Sequence, residues 1–373
     1  MKIIEVITDT NVGGAGVLLI NRLKHTDLLM YDTEVILPRK SAIVPRLEGI
    51  NVKFTEIDCN ADKSFDLSSV RSYVKLFNEK KPDIVNCHGA LSARIAAKIC
   101  GVPIKICTRH CAFDVSLKER MSGRINNTLS DAFIAVAYAA KENLLSMGIS
   151  EKKIHVIING SCPLSTLSFE EKKALRQKLG INEETKVLVL CARLEPCKGH
   201  AWFFRSVQLL MEKGVDVKVL LLGTGTIENE LKLLCEEYGI SDKVIFLGFV
   251  ADVAPFMNIA DVNINCSVGT ETSSLALSEG MSIGLPAVVS DYGGNPYMIE
   301  HGVNGYVCKC RDSKGLAEHI ELTVKDENKY KELSEGAKRR FENELNAKMM
   351  TQKTNKLYDD LYNRCVAEQR SKS

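Results

Sequence analysis

Short apolar runs alternate with longer segments of helical periodicity along most of the chain. In the first half the apolar runs lie at 3–7, 34–37, 52–54, 84–86, 104–107, 133–136 and 155–158. In the second half a helical pattern at about 168–179 precedes apolar runs at 186–191, 217–222, 244–250 and 261–265. Strands that alternate with helical segments indicate βαβ units and mainly parallel sheets. The pattern therefore predicts an α/β protein.

The length of 373 residues is too great for one ordinary hydrophobic core. A polar stretch at 161–166 is the best candidate for a linker. Near the end, residues 349–366 carry apolar side chains at helical spacing, among them Leu357 and Tyr358. We predict an N-terminal domain at 1–163, a C-terminal domain at 164–346 and a final helical segment at 347–373.

The composition is that of a globular protein, with 45% hydrophobic and 26% charged residues. No stretch has the length of a transmembrane helix, and the first residues are too short and too acidic for a signal peptide. Five of the thirteen cysteines lie inside apolar patterns, as reduced core cysteines do: Cys87, Cys100, Cys107, Cys191 and Cys235. Because reduced cysteines are typical of the cytosol, we expect a cytoplasmic protein. No zinc-binding spacing is present, so we expect no structural metal.

The net charge of +2 conceals an uneven distribution along the chain. Residues 1–160 carry 22 Lys and Arg against 17 Asp and Glu, and the remainder carries 27 against 30. Arg22 and Lys24 in the first helical segment, and Arg120 with Arg124 four positions on, would belong to the basic half. A basic surface fits an anionic membrane or a phosphate-bearing acceptor. Solvated helix faces on an ordinary soluble enzyme are the alternative.

Two glutamates flank the start of a predicted helix after the apolar run 261–265. Thr272 or Ser273 can cap this helix, which should run to about residue 283. Glu279 then lies in its second turn among apolar residues, where a carboxylate is costly without a partner. Glu271 lies just before the helix, near its free backbone amides. This arrangement suits a polyhydroxyl ligand that carries phosphate, whereas two solvated glutamates on a surface helix are the simpler alternative.

Other polar residues follow predicted strands, and ligands collect at the carboxyl edge of open α/β sheets. Arg193 and Lys198 come after the run 186–191, where a guanidinium can bind phosphate with two parallel bonds and an ammonium acts as a point charge. Gly223 and Gly225 form a glycine turn that would support the ribose or phosphate of a nucleotide. A glycine-rich loop follows the apolar run at 287–290.

A further glycine-rich loop at 13–16 lies between the first strand and the first helix. Such a loop can place a phosphate at a helix N-terminus. It lacks the Gly-Lys-Ser/Thr ending of a Walker loop, and Leu19 occupies the third glycine position of a dinucleotide fingerprint. Gly13 and Gly14 are candidates for contact with a phosphate, and a tight-turn role is an equal alternative.

The glutamate pair, with seven residues between its members, resembles the motif of retaining glycosyltransferases of the GT-B fold, family four, also called group 1. Residues 284–296 resemble the donor-site segment of that family. Arg193-Leu194 with Lys198-Gly199 resembles its diphosphate site, although Ala192 replaces the usual glycine. The similarity is detailed over about 192–307 and covers the whole chain in layout.

This resemblance implies two Rossmann-like domains that face each other across a cleft, with a C-terminal helix that crosses back to the first domain. Arg193 and Lys198 would neutralise the leaving diphosphate in place of a metal, and no Asp-x-Asp triplet occurs in the sequence. Glu279 would bind ribose hydroxyls and Glu271 the sugar hydroxyls. Further donor contacts are expected from Gly13, Gly14, Gly223, Gly225, Phe249, Thr272, Ser273, Ser274 and Leu275.

Two strand-end histidines are also interpreted through this resemblance. Thr108-x-His110 resembles the family's histidine beside the transferred sugar, so His110 is a candidate catalytic residue. His88 is expected to support its loop. Ala137 stands where the family usually has a serine, so the role of that hydroxyl has no counterpart here.

The resemblance implies retaining transfer of a hexose or N-acetylhexosamine from a nucleotide diphosphate sugar, expected to be UDP-linked. The acceptor would be a glycan or lipid-linked glycan. No cofactor and no nucleic acid are expected, and the enzyme would associate peripherally with the inner membrane face. An epimerase or phosphorylase of the same fold is one alternative, although no pyridoxal-binding lysine context is found. A non-catalytic nucleotide-sugar-binding protein is another, disfavoured by the intact set Arg193, Lys198, Glu271 and Glu279.

Overall fold

The computed structural model describes residues 1–11, 13–60, 65–110, 123 and 125–371 of the chain. These residues divide into two compact units. The first unit comprises Met1–Gly160 together with the segment that begins at Ala347, and the second unit comprises Ser161–Asn346. Each unit has its own parallel sheet with helices around it, as the alternating pattern predicts.

The sheet of the first unit contains seven strands in the order β3-β2-β1-β4-β5-β6-β7, and every neighbouring pair is parallel. Their bounds are β1 Lys2–Ile7, β2 Asp32–Pro38, β3 Lys53–Ile57, β4 Ile84–His88, β5 Ile104–Arg109, β6 Ala132–Ala135 and β7 Ile154–Val156. The helices of this unit before the linker are α1 Gly14–Leu23, α2 Val44–Glu48, α3 Leu67–Lys80, α4 Leu91–Ile99 and α5 Tyr138–Ser146. The strand order reverses between β1 and β4, so their carboxyl ends open a crevice at that point.

The sheet of the second unit contains six parallel strands in the order β10-β9-β8-β11-β12-β13. Their bounds are β8 Lys186–Cys191, β9 Val217–Leu222, β10 Val244–Gly248, β11 Val262–Asn265, β12 Ala287–Ser290 and β13 Gly305–Cys308. The helices are α6 Phe169–Lys178, α7 His200–Glu212, α8 Glu228–Glu237, α9 Ala254–Asn258, α10 Leu275–Ser282, α11 Asn295–Met298, α12 Ser313–Lys325 and α13 Glu327–Arg340. Here the order reverses between β8 and β11.

The last helix, α14, runs from Ala347 to Arg370 and belongs to the first unit, where it contacts α1 and β5. Met350, Thr354, Leu357 and Tyr358 are buried along one face, consistent with the apolar spacing in the sequence. Among the described residues, no helix combines the length and apolar character that a membrane span requires.

Both sheets have apolar strands because helices cover their two faces. In β1, Ile3, Ile4, Val6 and Ile7 are almost completely buried. Glu5, in the middle of the same strand, is also fully buried. A carboxylate at such a position requires partners inside the protein, and they belong to the site described below.

Candidate active site

Lys198 and Glu271 meet at the carboxyl edge of the second sheet. Lys198 lies in the loop after β8 and Glu271 in the loop after β11, so the reversal of strand order brings them together. Lys198 Nζ lies 2.9 Å from Glu271 Oε2 and 3.2 Å from the carbonyl oxygen of Thr270. Both side chains are largely buried, at 13% and 8% exposure. The cation is therefore held in place at the edge where ligands bind.

The two carboxylate oxygens of Glu271 have different surroundings. Oε2 accepts hydrogen bonds from Lys198 Nζ and from Asn265 Nδ2, the latter at 3.1 Å. The Ser267 hydroxyl also lies 3.1 Å from Oε2. Among the described residues, Oε1 has no hydrogen-bond donor. One oxygen thus orients the carboxylate, whereas the other can accept a hydrogen bond from a ligand hydroxyl.

Asn265 and Ser267 support Glu271, and the sequence interpretation did not include them. Asn265 Oδ1 lies 2.8 Å from the Ser267 hydroxyl and 3.3 Å from Asn295 Nδ2. The Ser290 hydroxyl donates to the carbonyl oxygen of Ser267 at 2.6 Å, which links β12 to the same loop. The available signal was Asn265 itself, a polar residue at the end of an apolar strand.

The loop after β12 packs its glycines against the backbone of the Glu271 segment. A Cβ atom at Gly293 would lie 2.0 Å from the carbonyl oxygen of Glu271, and Gly293 has a φ of +61°. A Cβ at Gly294 would lie 1.9 Å from the carbonyl oxygen of Thr272. Both positions require glycine because backbone meets backbone there. This contact fixes the segment that leads into α10.

Helix α10 begins one or two positions later than predicted. Its cap is Ser274, whose hydroxyl accepts the amide hydrogen of Leu277 at 3.3 Å, so the predicted capping by Thr272 or Ser273 is wrong. Thr272 and Ser273 instead lead into the cap, and Leu275 is the first helical residue. The first-turn amides of α10 point out of its N-terminus, where an anion is favoured.

Glu279 lies in the second turn of α10 and is half-buried. Among the described residues, its carboxylate has no hydrogen-bond or ion-pair partner. Burial raises the pKa of Glu279 to about 7, and the charge of Asp252 contributes in the same direction. The Glu279 charge also helps to raise the pKa of the Cys191 thiol, which places this carboxylate near the end of β8. An unpaired carboxylate in this position can accept hydrogen bonds from the hydroxyl groups of a ligand.

Arg193 is exposed in the loop after β8 and, within the described part of the chain, forms no side-chain hydrogen bond or ion pair, although its charge acts on the nearby Glu195. The backbone that carries it is held from β9: a Cβ at Gly223 would lie 1.9 Å from Ala192 O, and one at Gly225 would lie 2.2 Å from Leu194 O. Both glycines therefore allow the two loops to touch. This contact within the protein was not foreseen from the sequence, which assigned them to the nucleotide alone.

A carboxylate joins the same two loops. Glu195 accepts the Thr226 hydroxyl at 2.8 Å and the Thr226 amide at 3.3 Å. These hydrogen bonds lower the pKa of Glu195. Phe249 follows the neighbouring strand β10 and is 71% exposed, so its ring is available at this edge. Arg193, Lys198, Glu271, Glu279 and Phe249 thus all follow strands, or begin the next helix, on one side of the sheet.

In the first unit, Gly13 caps α1 and Gly14 is its first residue, and no side chain caps this helix. Both glycines have negative φ values, so the turn does not require them for conformational reasons. A Cβ at Gly14 would meet no atom within 4 Å. The open space beside uncapped amides fits close approach of a ligand better than a tight turn.

His88 and His110 end two neighbouring strands and contact each other. His88 Nδ1 lies 2.7 Å from His110 Nε2, and His88 Nε2 lies 3.0 Å from Glu5 Oε2. Both rings line a cavity of about 30 Å³ inside the first unit, enough for about one water-sized group. Burial lowers the pKa of His110 well below 6.5, with the charges of His88 and Arg109 adding to the effect, so its ring is neutral.

Glu5 is the centre of a buried polar network. Arg22 forms an ion pair with Oε1, the Tyr358 hydroxyl donates to Oε1 at 2.8 Å, and Asn86 Nδ2 donates to Oε2 at 2.9 Å. The Thr108 hydroxyl donates to Asn86 Oδ1 at 2.9 Å. Burial alone would raise the pKa of Glu5, but Arg22 and the hydrogen bonds from His88 and Tyr358 hold it below 4.5. The carboxylate is therefore ionised.

Two family models match the two halves of this chain. The model described as Glycosyltransferase Family 4 matches residues 12–161, and the model described as Glycosyl transferases group 1 matches residues 171–340. The chain belongs to the group 1 glycosyltransferases. An N-acetyl-alpha-D-glucosaminyl L-malate synthase of Bacillus anthracis is 24% identical to this glycosyltransferase, over 94% of this chain and 95% of that protein.

Further relatives and solved structures agree with this assignment. The UDP-Gal:alpha-D-GlcNAc-diphosphoundecaprenol alpha-1,3-galactosyltransferase of Escherichia coli is 25% identical over 79% of this chain and 80% of its own. A glycosyltransferase from Rickettsia africae superimposes with a TM-score of 0.84 at 20% identity, over 96% of this chain and 98% of that one. Anabaena Alr3699/HepE in complex with UDP gives 0.84 at 22%, over 96% and 100%. The predicted GT-B fold, with two Rossmann-like units, is confirmed.

The structure corrects one of the basic residues predicted for the surface of this glycosyltransferase and does not describe two others. Arg22 was assigned to a basic surface, but it is buried against Glu5 and contributes no exposed charge. Lys24, two positions on, is exposed. Arg120 and Arg124, the other proposed basic residues, lie outside the residues whose side chains are described.

Proposed function

We propose that this glycosyltransferase transfers a hexose or N-acetylhexosamine from a UDP-sugar to a glycan or lipid-linked glycan, with retention of the anomeric configuration. The observation that carries the proposal is the pair Lys198 and Glu271, 2.9 Å apart, with one oxygen of Glu271 left without a donor among the described residues. The pair offers a cation for phosphate and an acceptor for a sugar hydroxyl at one edge of the sheet.

The leaving diphosphate is stabilised by Arg193 and Lys198. Arg193 is exposed and, among described residues, unpaired, so binding phosphate requires no existing ion pair to break. Preorganised positive charge at the position where negative charge develops accounts for much of the rate enhancement in such reactions. The amides at the start of α10 and of α1, beside Gly14, would add further donors. An oxygen of the departing diphosphate then serves as the base that takes the proton of the acceptor hydroxyl. That hydroxyl attacks the sugar on the same face from which the diphosphate departs.

The nucleoside and the sugar are bound by different carboxylates. Glu279 accepts the ribose hydroxyls, which complete a carboxylate that has no partner in the described protein. Glu271 Oε1 and His110 accept sugar hydroxyls, and the ring of Phe249 contacts the base. UDP as the nucleotide is supported by two proteins: Anabaena HepE, solved with UDP and with UDP-glucose, and the Escherichia coli relative, whose name specifies UDP-Gal.

The acceptor assignment rests on the names of relatives. The Escherichia coli enzyme acts on a diphosphoundecaprenol-linked sugar, and a Staphylococcus aureus relative is named for capsular polysaccharide biosynthesis. A lipid-linked acceptor would bring this enzyme to an anionic membrane surface. Co-sedimentation with vesicles of phosphatidylglycerol and of phosphatidylcholine, at low and physiological salt, tests this part. Equal binding to both lipids at both salts favours an acceptor in solution.

The decisive experiment measures transfer from UDP-glucose, UDP-galactose, UDP-N-acetylglucosamine and the matching GDP and ADP sugars. Release of UDP with sugar transferred to an acceptor is expected, and NMR of the product shows whether the anomeric configuration is retained. An epimerised nucleotide sugar as the only product would contradict the proposal. So would tight UDP-sugar binding without turnover for every acceptor in a panel of glycan and polyprenyl diphosphate-linked sugars.

A further inference from the structure

A cavity of the second unit lies at the amino edge of its sheet, away from Lys198 and Glu271. Its volume is about 500 Å³, a size typical of sites for small molecules. It is bounded by α6, by the turn after α6 and by the residues that lead from α9 into β11. Asp261 directly precedes β11, and its Oδ2 accepts the backbone amide of Val187 at 2.7 Å, which fixes it at the amino edge. The six residues of β8 separate the two edges by roughly 20 Å, so the cavity is remote from the proposed donor site.

Arg176 connects the three segments around this cavity. Its Nη1 donates to the carbonyl oxygen of Ile259 at 3.2 Å, and its Nη2 donates to those of Asn182 at 2.7 Å and Thr185 at 2.6 Å. These acceptors are neutral, so the guanidinium has no ion pair among the described residues, although its charge acts on nearby Asp261. Nε of Arg176 is buried and has no acceptor in the described part of the chain. The cavity is therefore bounded by a cation whose charge is only partly compensated.

Lys172 lies one turn before Arg176 on the same face of α6 and also lines the cavity. Its side chain is half-buried and forms no hydrogen bond or ion pair with the residues that the structure describes. The neighbouring Lys173 differs, because it pairs with Glu183 at 3.1 Å. A half-buried cation is costly without a counter-charge. Lys172 and Arg176 together therefore favour an anionic group inside the cavity.

An aromatic ring and side-chain amides lie at the rim of the cavity. Phe169 is the first residue of α6, is 73% exposed, and lines the cavity together with Gln177 and Asn182. A capping box fixes the start of this helix, since Ser168 Oγ accepts the Glu171 amide and Glu171 accepts the Ser168 amide. The ring is therefore presented from a fixed position. A pyranose has an apolar C–H face and polar hydroxyl groups, so a sugar matches an exposed aromatic ring beside side-chain amides.

We propose that this cavity is a second saccharide site, in which a sugar ring packs on Phe169 and its carboxylate or phosphate group binds Lys172. The preference for an anion follows from Lys172 and Arg176. The choice of a saccharide among anions rests on the proposed function, in which the enzyme extends a glycan. Because the cavity is remote from the donor site, a glycan bound here takes no part in the chemistry. It keeps an acidic glycan attached to the enzyme between transfers.

The test is isothermal titration calorimetry of the full chain, with UDP at saturating concentration so that the proposed donor site is occupied. The probes are two acidic sugars, tetragalacturonic acid and glucose 6-phosphate, with neutral maltotetraose and inorganic phosphate as their controls. At least one acidic sugar should bind, and its affinity should exceed that of its control about 10-fold or more. Binding of neither acidic sugar would overturn the proposal. Equal affinity of each acidic sugar and its control would overturn it as well.

Variants assign the binding to this cavity, and neither test substitution removes a side-chain hydrogen bond or ion pair described in the fold. Lys172→Ala and Phe169→Leu should each weaken binding of the acidic sugar about 10-fold, and Lys172→Arg should retain most of it. Lys178→Ala is the matched control, since Lys178 is exposed at the end of the same helix, outside the cavity lining. It should not alter the affinity.

Two outcomes with these variants would overturn the proposal. Equal losses in Lys172→Ala and Lys178→Ala would mean that the sugar responds to overall charge and not to the cavity. Parent affinity in both Lys172→Ala and Phe169→Leu would place the sugar elsewhere. Light scattering provides a third check: a dimer of the parent that Lys172→Ala abolishes would assign the cavity to a second copy of this chain, against the proposal.

These measurements are independent of sugar transfer. If the parent transfers sugar but binds no acidic sugar in this way, the second site is refuted and the proposed function stands. If the parent transfers no sugar from any donor but binds an acidic sugar with this dependence on Lys172 and Phe169, the proposed function is refuted. The cavity then remains a site for acidic sugars.

Discussion

Lys198 Nζ and Glu271 Oε2 lie 2.9 Å apart although 73 positions separate them in the sequence. The ion pair neutralises Glu271 in a largely buried position and holds Lys198 in the same strand-end loop that carries the exposed Arg193. Because Glu271 retains one oxygen without a donor among the described residues, the pair can bind a ligand without being broken. The predictions below follow from this arrangement.

Arg193→Ala and Lys198→Ala are each expected to lower kcat by about 10²-fold or more, the scale of losing one preorganised charge partner. The assay is sugar transfer at saturating donor. The matched control is Lys232→Ala, which removes an exposed lysine paired with Glu228 one helical turn away and should leave kcat unchanged. Turnover within a few-fold of the parent in both test variants would remove these cations from the mechanism.

Glu279 should make the second unit less stable as pH rises. Its pKa is raised from 4.5 to about 7, so the folded state holds a proton that the unfolded chain has lost. Stability is therefore lost between pH 4.5 and about 7, and the loss is complete above that range. Glu279→Gln lacks this loss and should be more stable than the parent by about 1–3 kcal/mol at pH 8, but not at pH 4.5.

Urea unfolding monitored by tryptophan fluorescence measures this effect, because the single tryptophan, Trp202, lies in α7 of the second unit. Glu237→Gln, at an exposed position of α8, serves as the control and should change stability little at either pH. A Glu279→Gln protein whose advantage over the parent is the same at pH 4.5 and pH 8 would contradict the raised pKa.

The two glutamates should separate in a binding experiment with UDP alone. Glu279→Gln is expected to weaken UDP binding about 10-fold, because an amide accepts the ribose hydrogen bonds less strongly than a charged group. Glu271→Gln should leave UDP affinity nearly unchanged and lower sugar transfer, since Glu271 is assigned to the sugar. Isothermal titration calorimetry with UDP measures the affinity of each variant. Equal losses of affinity in both variants would refute this division.

Substitution by alanine should affect donor binding at Gly14 and stability at Gly223. Gly14→Ala meets no atom within 4 Å, so the melting temperature should hardly change while donor KM rises, if a phosphate approaches that backbone. Gly223→Ala places a Cβ 1.9 Å from Ala192 O at a φ of +145° and should destabilise the second unit by about 2 kcal/mol or more. Trp202 fluorescence reports the second effect. Unchanged donor KM in Gly14→Ala would contradict a contact between this glycine and the donor phosphate.

The α/β class and most strand positions could be predicted from local pattern. The apolar runs at 186–191 and 217–222 coincide with β8 and β9 because buried parallel strands are continuously apolar. Parallel strands also share one carboxyl edge, so Arg193, Lys198 and Glu271 could be assigned to that edge before their contacts were known. The capping residue of α10 was missed by one or two positions, since Thr272, Ser273 and Ser274 all have suitable side chains and the backbone conformation selects among them.

The sequence by itself determined which side chains follow strands and which strands are buried, because both depend on a few neighbouring residues. Only the tertiary structure decided which of those side chains meet. The strand order places β8 beside β11 and β1 beside β4, and this order depends on packing along the whole chain. It therefore decided that Lys198 contacts Glu271, that Arg22 is buried rather than exposed, and that Glu5 in an apolar strand contacts His88, which in turn contacts His110.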